Sequence, residues 1–592
     1  MKILLIVPTD NYTFSYPSFI ATNSFPIGFA FLASSLKSAG FEVHGLNLNN
    51  RLGFENPFQM LKALLLLSIN EIKPDLICTG GLCTDYAFIK DTLALSRQFA
   101  PHTPVVLGGG IVTHDAEFVF THLRPDFCVI GEGEEALVQL AEAIKTGETS
   151  GYHKIPNIGF WENSQAVFGP QDFNYPDLDL RPFPDYEPFQ IKEMVEKFSF
   201  AAGYGINHPR LKPRLMPLIA ARSCPFSCTF CVHHQRTIKY RARSLKNIFE
   251  EISLLYEKYE FNILYILDEL FAAHHSRVRE FSETLLSEKK RHGWDFNWTF
   301  CTHASASLDR ETLQIAKESG CYAFVYGIES ASPTVLKSMN KKINPSQIVK
   351  AIKLADEVEI GFGGNLIFGD IAESAETINE SMSFFNEHCK DICHLGFGHI
   401  QPFPGSKLFD YCMENGLIKD KHKYYESIGN VITTMNMTQM PDWLWRLWVS
   451  CLKYFMLTMP WLKSTAALSL KRMDELKQNP MVLSMKTDIF EIEAQCPLCG
   501  KKTQLSSFLG EPEASNFRFQ SRLKRKLMKS HLIPWLFQML VICLSIGGSF
   551  RKMFYHFRYD SRNFFGSIPT ICIHCHKKFR VRIAQESMKS PK

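Results

Sequence analysis

The stretch SCPFSCTFCVHH, residues 223–234, puts Cys224, Cys228 and Cys231 on one short loop, with His233 and His234 directly behind. Thiolates this close select soft metals. A structural zinc site takes four protein ligands, which the triad reaches only if one of the histidines joins it. Iron–sulfur clusters are also held by thiolates, and with three of them one iron of a four-iron cube keeps an open position. The zinc site would be closed; the cluster could still chelate a small molecule.

A second set of cysteines stands near the far end, in CPLCG at 496–500 and CIHCH at 572–576. Cys496, Cys499, Cys572 and Cys575 supply four thiolates in two CxxC pairs, enough for tetrahedral zinc. The 72 residues between the pairs exceed the usual spacing of a zinc ribbon, but loop insertions cost little entropy. Both pairs read as zinc-ribbon knuckles, with His574 and His576 as bystanders. Unpaired free cysteines and a second iron–sulfur cluster are the alternatives. The chain has 17 cysteines, an odd number, and MKILLIVPTD at its start is no signal-peptide pattern. These features predict a reducing, cytoplasmic setting in which close cysteines bind metal.

These residues need a scaffold, and the 592-residue chain has the apolar content for one, 45% hydrophobic with 21% charged. A net charge of +5 makes no case for nucleic-acid binding. Over residues 1–150, short apolar strands such as KILLIVP, DLICTGG and PVVLGGG alternate with amphipathic helices. This predicts a doubly wound parallel sheet of Rossmann-like α/β class. Its strands end in glycine turns at Gly80–Gly81, Gly108–Gly110 and Gly131/Gly133, where ligands dock in such sheets; tight turns with no ligand are the plainer reading. Residues 151–212, rich in proline, read as an extended linker. From 213 to 425 strand and helix patterns alternate again, and about six units predict an open, partial (β/α)6 TIM barrel. Asp268, Glu269, Thr302, His303, Glu329, Ser330, Asn365, His399 and Gln401 fall at strand ends, where such barrels carry their sites. Residues 426–592 form a C-terminal helical and zinc-ribbon-like region. Within it, the aromatic-rich 443–462 predicts a core-packing helix or a lid. Residues 522–558 set an apolar run between basic clusters, the pattern of a peripheral membrane contact or a buried helix.

The triad and its surroundings resemble the radical SAM superfamily, in which C-x3-C-x2-C follows a strand with an aromatic, here Phe230, before the last cysteine. LDELF, GIESASPTVLKSMNKKI, GGNLIFGDIAES and QPFPGS are similar to its later strand motifs, although Asp370-Ile371-Ala372 stands where Leu-Pro-Gly is usual. The resemblance implies a [4Fe–4S] cluster on Cys224, Cys228 and Cys231, with S-adenosylmethionine on the open iron and Asp268, Glu269 and Glu329 near it. PIGFAFLASSLKSAGFEV, VVLGGG and CVIGEGEEAL resemble the cobalamin-binding domain that precedes many such barrels. That implies Thr79, Gly80, Gly108, Gly109, Gly131, Glu132 and Gly133 around the corrinoid tail. Where many cobalamin domains carry D-x-H-x-x-G, this chain reads DNYTFS, with Asp10 present and Tyr12 in place of histidine. Either cobalamin binds without a protein ligand or the domain has lost it.

What the resemblance implies for function is a 5′-deoxyadenosyl radical and cobalamin-dependent methyl transfer to an unactivated carbon of a small-molecule or lipid-like substrate. An electron donor such as flavodoxin or ferredoxin would reduce the cluster. Radical cyclisation, oxidation or rearrangement without methyl transfer is the first alternative. A corrinoid-binding sensor or scaffold with an idle SAM site is the second. A tRNA methylthiotransferase is disfavoured, because the first domain lacks a second three-cysteine set.

Overall fold

The computed structural model describes residues 1–9, 12, 25–49, 51, 56–198, 209–232, 239–303, 308–391, 394–428, 435–458, 462–477, 488–509 and 567–583. Asp10, His233, His234 and the segment 522–558 lie outside them.

The first sheet grows from five parallel strands: β1 (Lys2–Val7), β2 (Glu42–Asn47), β3 (Leu76–Gly80), β4 (Val105–Gly108) and β5 (Phe127–Val129). Helices α1 (Ile27–Ser38), α2 (Pro57–Ile72), α3 (Tyr86–Phe99), α4 (Gly110–Leu123) and α5 (Glu134–Thr146) alternate with them. Ile3, Leu4, Leu5 and Ile6 are all fully buried, as expected of a strand covered on both faces. The order β2-β1-β3-β4-β5 continues into β6 (Ile158–Glu162) and β7 (Gln165–Phe168), an antiparallel hairpin. That hairpin falls inside the stretch read as an extended linker. It fits between Pro156 and Pro170, so no strand residue lacks its N–H. Ile158 and Phe160 are buried. A single helical turn, α6 (Ile191–Glu193), follows later in the stretch.

The second sheet has six parallel strands in the order β15-β14-β13-β12-β11-β8. They are β8 (Leu215–Leu218), β11 (Ile263–Ile266), β12 (Asn297–Thr302), β13 (Cys321–Glu329), β14 (Gly361–Phe368) and β15 (His394–His399). Two-residue strands β9 (Ala221–Arg222) and β10 (Arg241–Ala242) follow β8. The crossover helices are α7 (Leu245–Tyr259), α8 (His275–His292), α9 (Arg310–Glu318), α10 (Pro333–Ser338), α11 (Pro345–Val358) and α12 (Ala375–Phe384). This is the expected partial barrel. Then come α13 (Lys407–Glu414), α14 (Lys421–Ile428) and α15 (Asp442–Thr458). The last sheet, ordered β18-β17-β16-β20-β19, uses β16 (Ser464–Arg472), β17 (Asp488–Gln495), β18 (Lys502–Leu509), β19 (Ser567–Ile571) and β20 (Lys578–Arg582).

Two compact units emerge, each from three chain segments. The first takes 1–202, 230–251 and 402–433; the second takes 203–229, 252–401 and 434–592. Within the first, Tyr425 on α14 is buried and stacks on Phe118 of α4 at 5.0 Å, with Tyr86 of α3 at 5.3 Å. Within the second, Trp445 and Trp448 on α15 are buried; Trp445 meets His399 and Trp448 meets Phe368. The aromatic-rich helix therefore packs into the core. Among the described residues, no helix is long and apolar enough to cross a membrane.

Candidate active site

In the second unit, β8 runs toward the part of the cysteine loop that carries Cys224 and Cys228, entered through Ser223 in the left-handed region (φ +69°). Residues 338–340, at the end of α10, hold this loop. Thr229 N–H donates to Met339 O (3.0 Å) and its hydroxyl to Ser338 O (3.3 Å). The Asn340 amide donates to Ser227 O and to Ser227 Oγ, both at 2.9 Å. Phe226, between the first two cysteines, stacks on His303 at the end of β12 with centroids 3.9 Å apart. The loop is thus preformed by contacts that leave its thiols uncommitted to disulfides. Burial pushes both the Cys224 and Cys228 thiols up; Lys341 opposes this at each, while Glu269 adds to it at Cys224 and Glu329 at Cys228.

The acidic strand-end residues divide in role. Asp268 is buried, and its Oδ1 accepts the Ala220 N–H at 2.7 Å, tying the end of β11 to the end of β8. Glu269 is exposed, with its charge felt at Cys224. Glu329 ends β13 in the left-handed region (φ +64°) and pairs with Lys341 at 3.2 Å. Gly327 lies beneath this pair: a Cβ there would come 2.7 Å from Lys341 Nζ and 2.8 Å from Glu329 Oε1, the movable ends of the two side chains. His303 is held down to about 4, first by burial and then by Lys341, so it is neutral at physiological pH. The Thr302 hydroxyl donates to Ala272 O, and Ser330 and Ser381 share a hydrogen bond; these two serve the scaffold. Asn365 is exposed although β14 is an interior strand, and it overlies Gly396 of β15. That face of the sheet is therefore open at this position. After β14, Asp370 supplies the turn in place of the usual Pro-Gly: its Oδ1 accepts the Ala372 N–H at 2.9 Å and its carbonyl accepts the Glu373 N–H. This is an Asx-turn, which mimics a backbone turn.

In the first unit, the turns after β3 and β4 interlock. Gly81 N–H donates to Gly108 O, and Ile111 N–H to Gly81 O. Gly109 sits at φ +86°, and a Cβ on it would lie 2.7 Å from Gly81 O. Beside Gly108, by contrast, a Cβ would meet only Val129 O at 3.8 Å, so that face of the turn is roomy. The Thr79 hydroxyl donates to Ile6 O and is buried. After β5, Gly131 lies against the Tyr175 hydroxyl, which accepts the Glu132 N–H at 2.9 Å. The Glu132 carboxylate meets Arg241 and Arg181, and Arg241 lies over the Tyr175 ring at 5.1 Å. Gly133 leads into α5.

The donor sets fit the expected cofactors. Three soft thiols on one clamped loop suit an iron–sulfur cluster. The roomy Gly108 turn suits a corrinoid tail. Tyr12 donates its hydroxyl to Asp91 at 2.7 Å, and burial together with Asp91 keeps the phenol protonated. The first histidine of the chain, His44, pairs with Glu42. Phe230 and Cys231 are half-buried. Sequence reasoning missed Asn340, Lys341, Phe226, Tyr175, Arg181 and Arg241. Lys341 was within reach, twelve positions after Glu329 in one motif, but Arg241 meets a partner 109 positions away. The four C-terminal cysteines converge on one another.

The radical SAM superfamily model matches residues 218–385, and the B12 binding domain model matches residues 20–141. An uncharacterized methyltransferase of Pyrococcus horikoshii is 26% identical over 446 residues, covering 74% of this chain and 89% of that protein. An anaerobic magnesium-protoporphyrin IX monomethyl ester cyclase of Cereibacter sphaeroides is 24% identical, covering 72% of this chain and 66% of that protein. Among solved structures, the radical SAM methyltransferase TsrM of Kitasatospora setae, with tryptophan substrate and a SAM analogue bound, aligns at TM-score 0.55 and 18% identity. The alignment covers 70% of this chain and 76% of that one; another structure of TsrM holds cobalamin and a [4Fe–4S] cluster. At that identity the likeness is one of fold. The chain thus carries a B12-binding domain on the first sheet and a radical SAM domain on the second.

Proposed function

We propose that the protein is a cobalamin-dependent radical SAM enzyme that transfers a methyl group to an unactivated carbon of a small-molecule or lipid-like substrate. The clamped three-thiol loop carries this reading: it offers a cluster three ligands, and Cys224 and Cys228 lie near Glu269, Glu329 and Lys341. When bound, the cluster, SAM and cobalamin supply the electron, the 5′-deoxyadenosyl radical and the methyl group. The protein's own residues bind, orient and exclude water. Glu269 and Glu329 are the carboxylates suited to the ammonium end of SAM. Lys341 limits the negative charge around the thiolates. The Phe226–His303 stack forms an apolar wall that a neutral imidazole does not charge. The open face of the sheet at Asn365 suits a compact substrate. A low-potential donor of the flavodoxin or ferredoxin class is proposed as the electron source.

The test is anaerobic reconstitution with iron, sulfide and cobalamin, followed by incubation with SAM and a reductant. Formation of 5′-deoxyadenosine is expected, together with S-adenosylhomocysteine in the cobalamin-loaded protein only. If no 5′-deoxyadenosine forms, the enzyme reading fails. The similarity to the cyclase and the absence of a histidine at Tyr12 favour a second reading, radical ring closure, oxidation or rearrangement without methyl transfer. Formation of 5′-deoxyadenosine by a protein that never takes up cobalamin would select it.

A further inference from the structure

Outside the radical SAM site, the described residues hold one tight cluster of metal-ligating side chains, in the last sheet. The sulfurs of Cys496, Cys499, Cys572 and Cys575 lie within 4.8 Å of one another. Cys496 Sγ is 3.8 Å from Cys575 Sγ, and Cys499 Sγ is 3.6 Å from Cys572 Sγ. A disulfide would need about 2.05 Å. Four sulfurs at about 2.3 Å from one tetrahedral ion stand about 3.8 Å apart along each edge. A four-iron cube puts its thiolates on four separate irons and holds them farther apart.

The two knuckles are built alike. In each, the first cysteine donates its N–H to a residue five positions on, Cys496 to Lys501 O (2.9 Å) and Cys572 to Lys577 O (3.1 Å). In each, the residue after the second cysteine returns its N–H to the first cysteine's carbonyl, Gly500 to Cys496 and His576 to Cys572, both at 2.9 Å. Those two residues share the left-handed conformation, at φ +74° and +55°. His576 therefore stands where the other knuckle has glycine, and its backbone is what the turn uses. The His574 ring is hydrogen-bonded to Lys502 O at 2.7 Å. Neither histidine is needed as a ligand.

We propose that these four cysteines bind a single zinc ion, and that the ion is structural. Zinc outcompetes ferrous iron for a site of given ligands, and it has no redox chemistry to interfere with a radical enzyme. The sheet needs such a staple. Among the described residues its buried cluster is Ile492, Ala494, Phe579, Val581 and Ile583 around Cys496 and Cys572, a small core for five strands to be held by burial alone. The ion would also join halves whose cysteines are 73 positions apart. Beside the second knuckle, Lys577 pairs with Asp356 of α11 at 2.7 Å. That pair ties the second knuckle to a crossover helix of the barrel.

The experiment is metal analysis of the full-length protein after anaerobic reconstitution, with zinc-edge X-ray absorption. One zinc per chain with four sulfur neighbours at about 2.3 Å is expected. Cys228→Ala should lose iron and keep zinc. A Cys496→Ser, Cys572→Ser double variant should lose zinc and keep iron. Absence of zinc in the wild type, nitrogen or oxygen neighbours at its edge, mononuclear iron in its place, or loss of zinc in Cys228→Ala would each overturn the proposal. The absorption spectrum needs no variant, so the test stands even if the double variant fails to fold.

Discussion

Lys341 acts on several parts of the barrel site. It pairs with Glu329, with both side chains largely buried, it opposes the effect of burial at Cys228, and it adds to the burial that keeps His303 neutral. A buried pair broken on one side leaves an uncompensated charge, which costs about 3–5 kcal/mol. Lys341→Met is therefore expected to destabilise the cluster-free protein by that order in urea denaturation. Adding Glu329→Gln should recover most of the loss, because the pair is then replaced by neutral groups. If the double variant is as unstable as the single one, Lys341 works through something other than Glu329. Cys228→Ala makes a separate prediction. It should reduce the reconstituted iron from about four per chain and abolish 5′-deoxyadenosine, as followed by iron assay and chromatography. The triad was legible from its spacing alone, because covalent spacing along a loop is a sequence property. Lys341, like the division of labour between Asp268 and Glu269, was not. Which of two adjacent carboxylates turns inward depends on the neighbouring strand, here on Ala220 N–H.

At the scale of elements, strand and helix periodicity made both parallel sheets readable, since buried strands are continuous apolar runs and crossover helices are amphipathic. The β6–β7 hairpin was hidden because prolines flank it closely and dominate the composition of its surroundings. The segment after α10 shows how an element end becomes part of the site. Asn340 sits at φ +53°, where asparagine and glycine are tolerated, and its amide makes both bonds to Ser227. Asn340→Gly keeps the backbone and deletes those bonds, so it isolates their effect, about 1–2 kcal/mol. Slower cluster reconstitution is expected, with no change in secondary structure by circular dichroism. The end of β14 supplies a pH dependence. Burial raises the Glu373 carboxyl from the usual 4.5 to about 7, against the opposing hydrogen bonds from the Thr377 hydroxyl and Gly369 N–H. Between those values the folded protein keeps a proton that the unfolded chain has released. This contribution to stability is thus complete at low pH and is lost as pH rises from about 4.5 to about 7. The loss amounts to roughly 3 kcal/mol at about 1.4 kcal/mol per unit. Glu373→Gln cannot ionise, so the drop in unfolding free energy between pH 5 and pH 8 should shrink by most of that amount.

At the scale of the whole molecule, chain order and compact units part company. The first unit is completed by residues 402–433, which sequence alone assigns to the barrel as far as 425, because they continue its last strand motif, and beyond that to the C-terminal region. Their anchor is a pair of side chains on α14. Tyr425 donates to Asp115 Oδ2 at 2.9 Å across 310 positions of sequence, and Lys421 pairs with the same carboxylate at 2.7 Å. Burial and the adjacent Asp115 keep the Tyr425 phenol protonated, so that it can donate. Just upstream, Gly405 comes so close to His114 that a Cβ would lie 2.6 Å from the histidine's own. No local pattern encodes such contacts; they exist only once the first sheet and its helices have formed. Truncation of a fully buried aromatic typically costs 3–5 kcal/mol, and here it would also strip Asp115 of one hydrogen bond. Tyr425→Ala is therefore expected to loosen α3 and α4, some 300 positions earlier in the chain, while β11 to β14 keep their protection. Hydrogen exchange read by mass spectrometry separates the two outcomes. Faster exchange confined to α3, α4 and α14 would establish 402–433 as part of the first unit's fold. Unchanged exchange there would mean that α14 merely rests on a unit already complete without it.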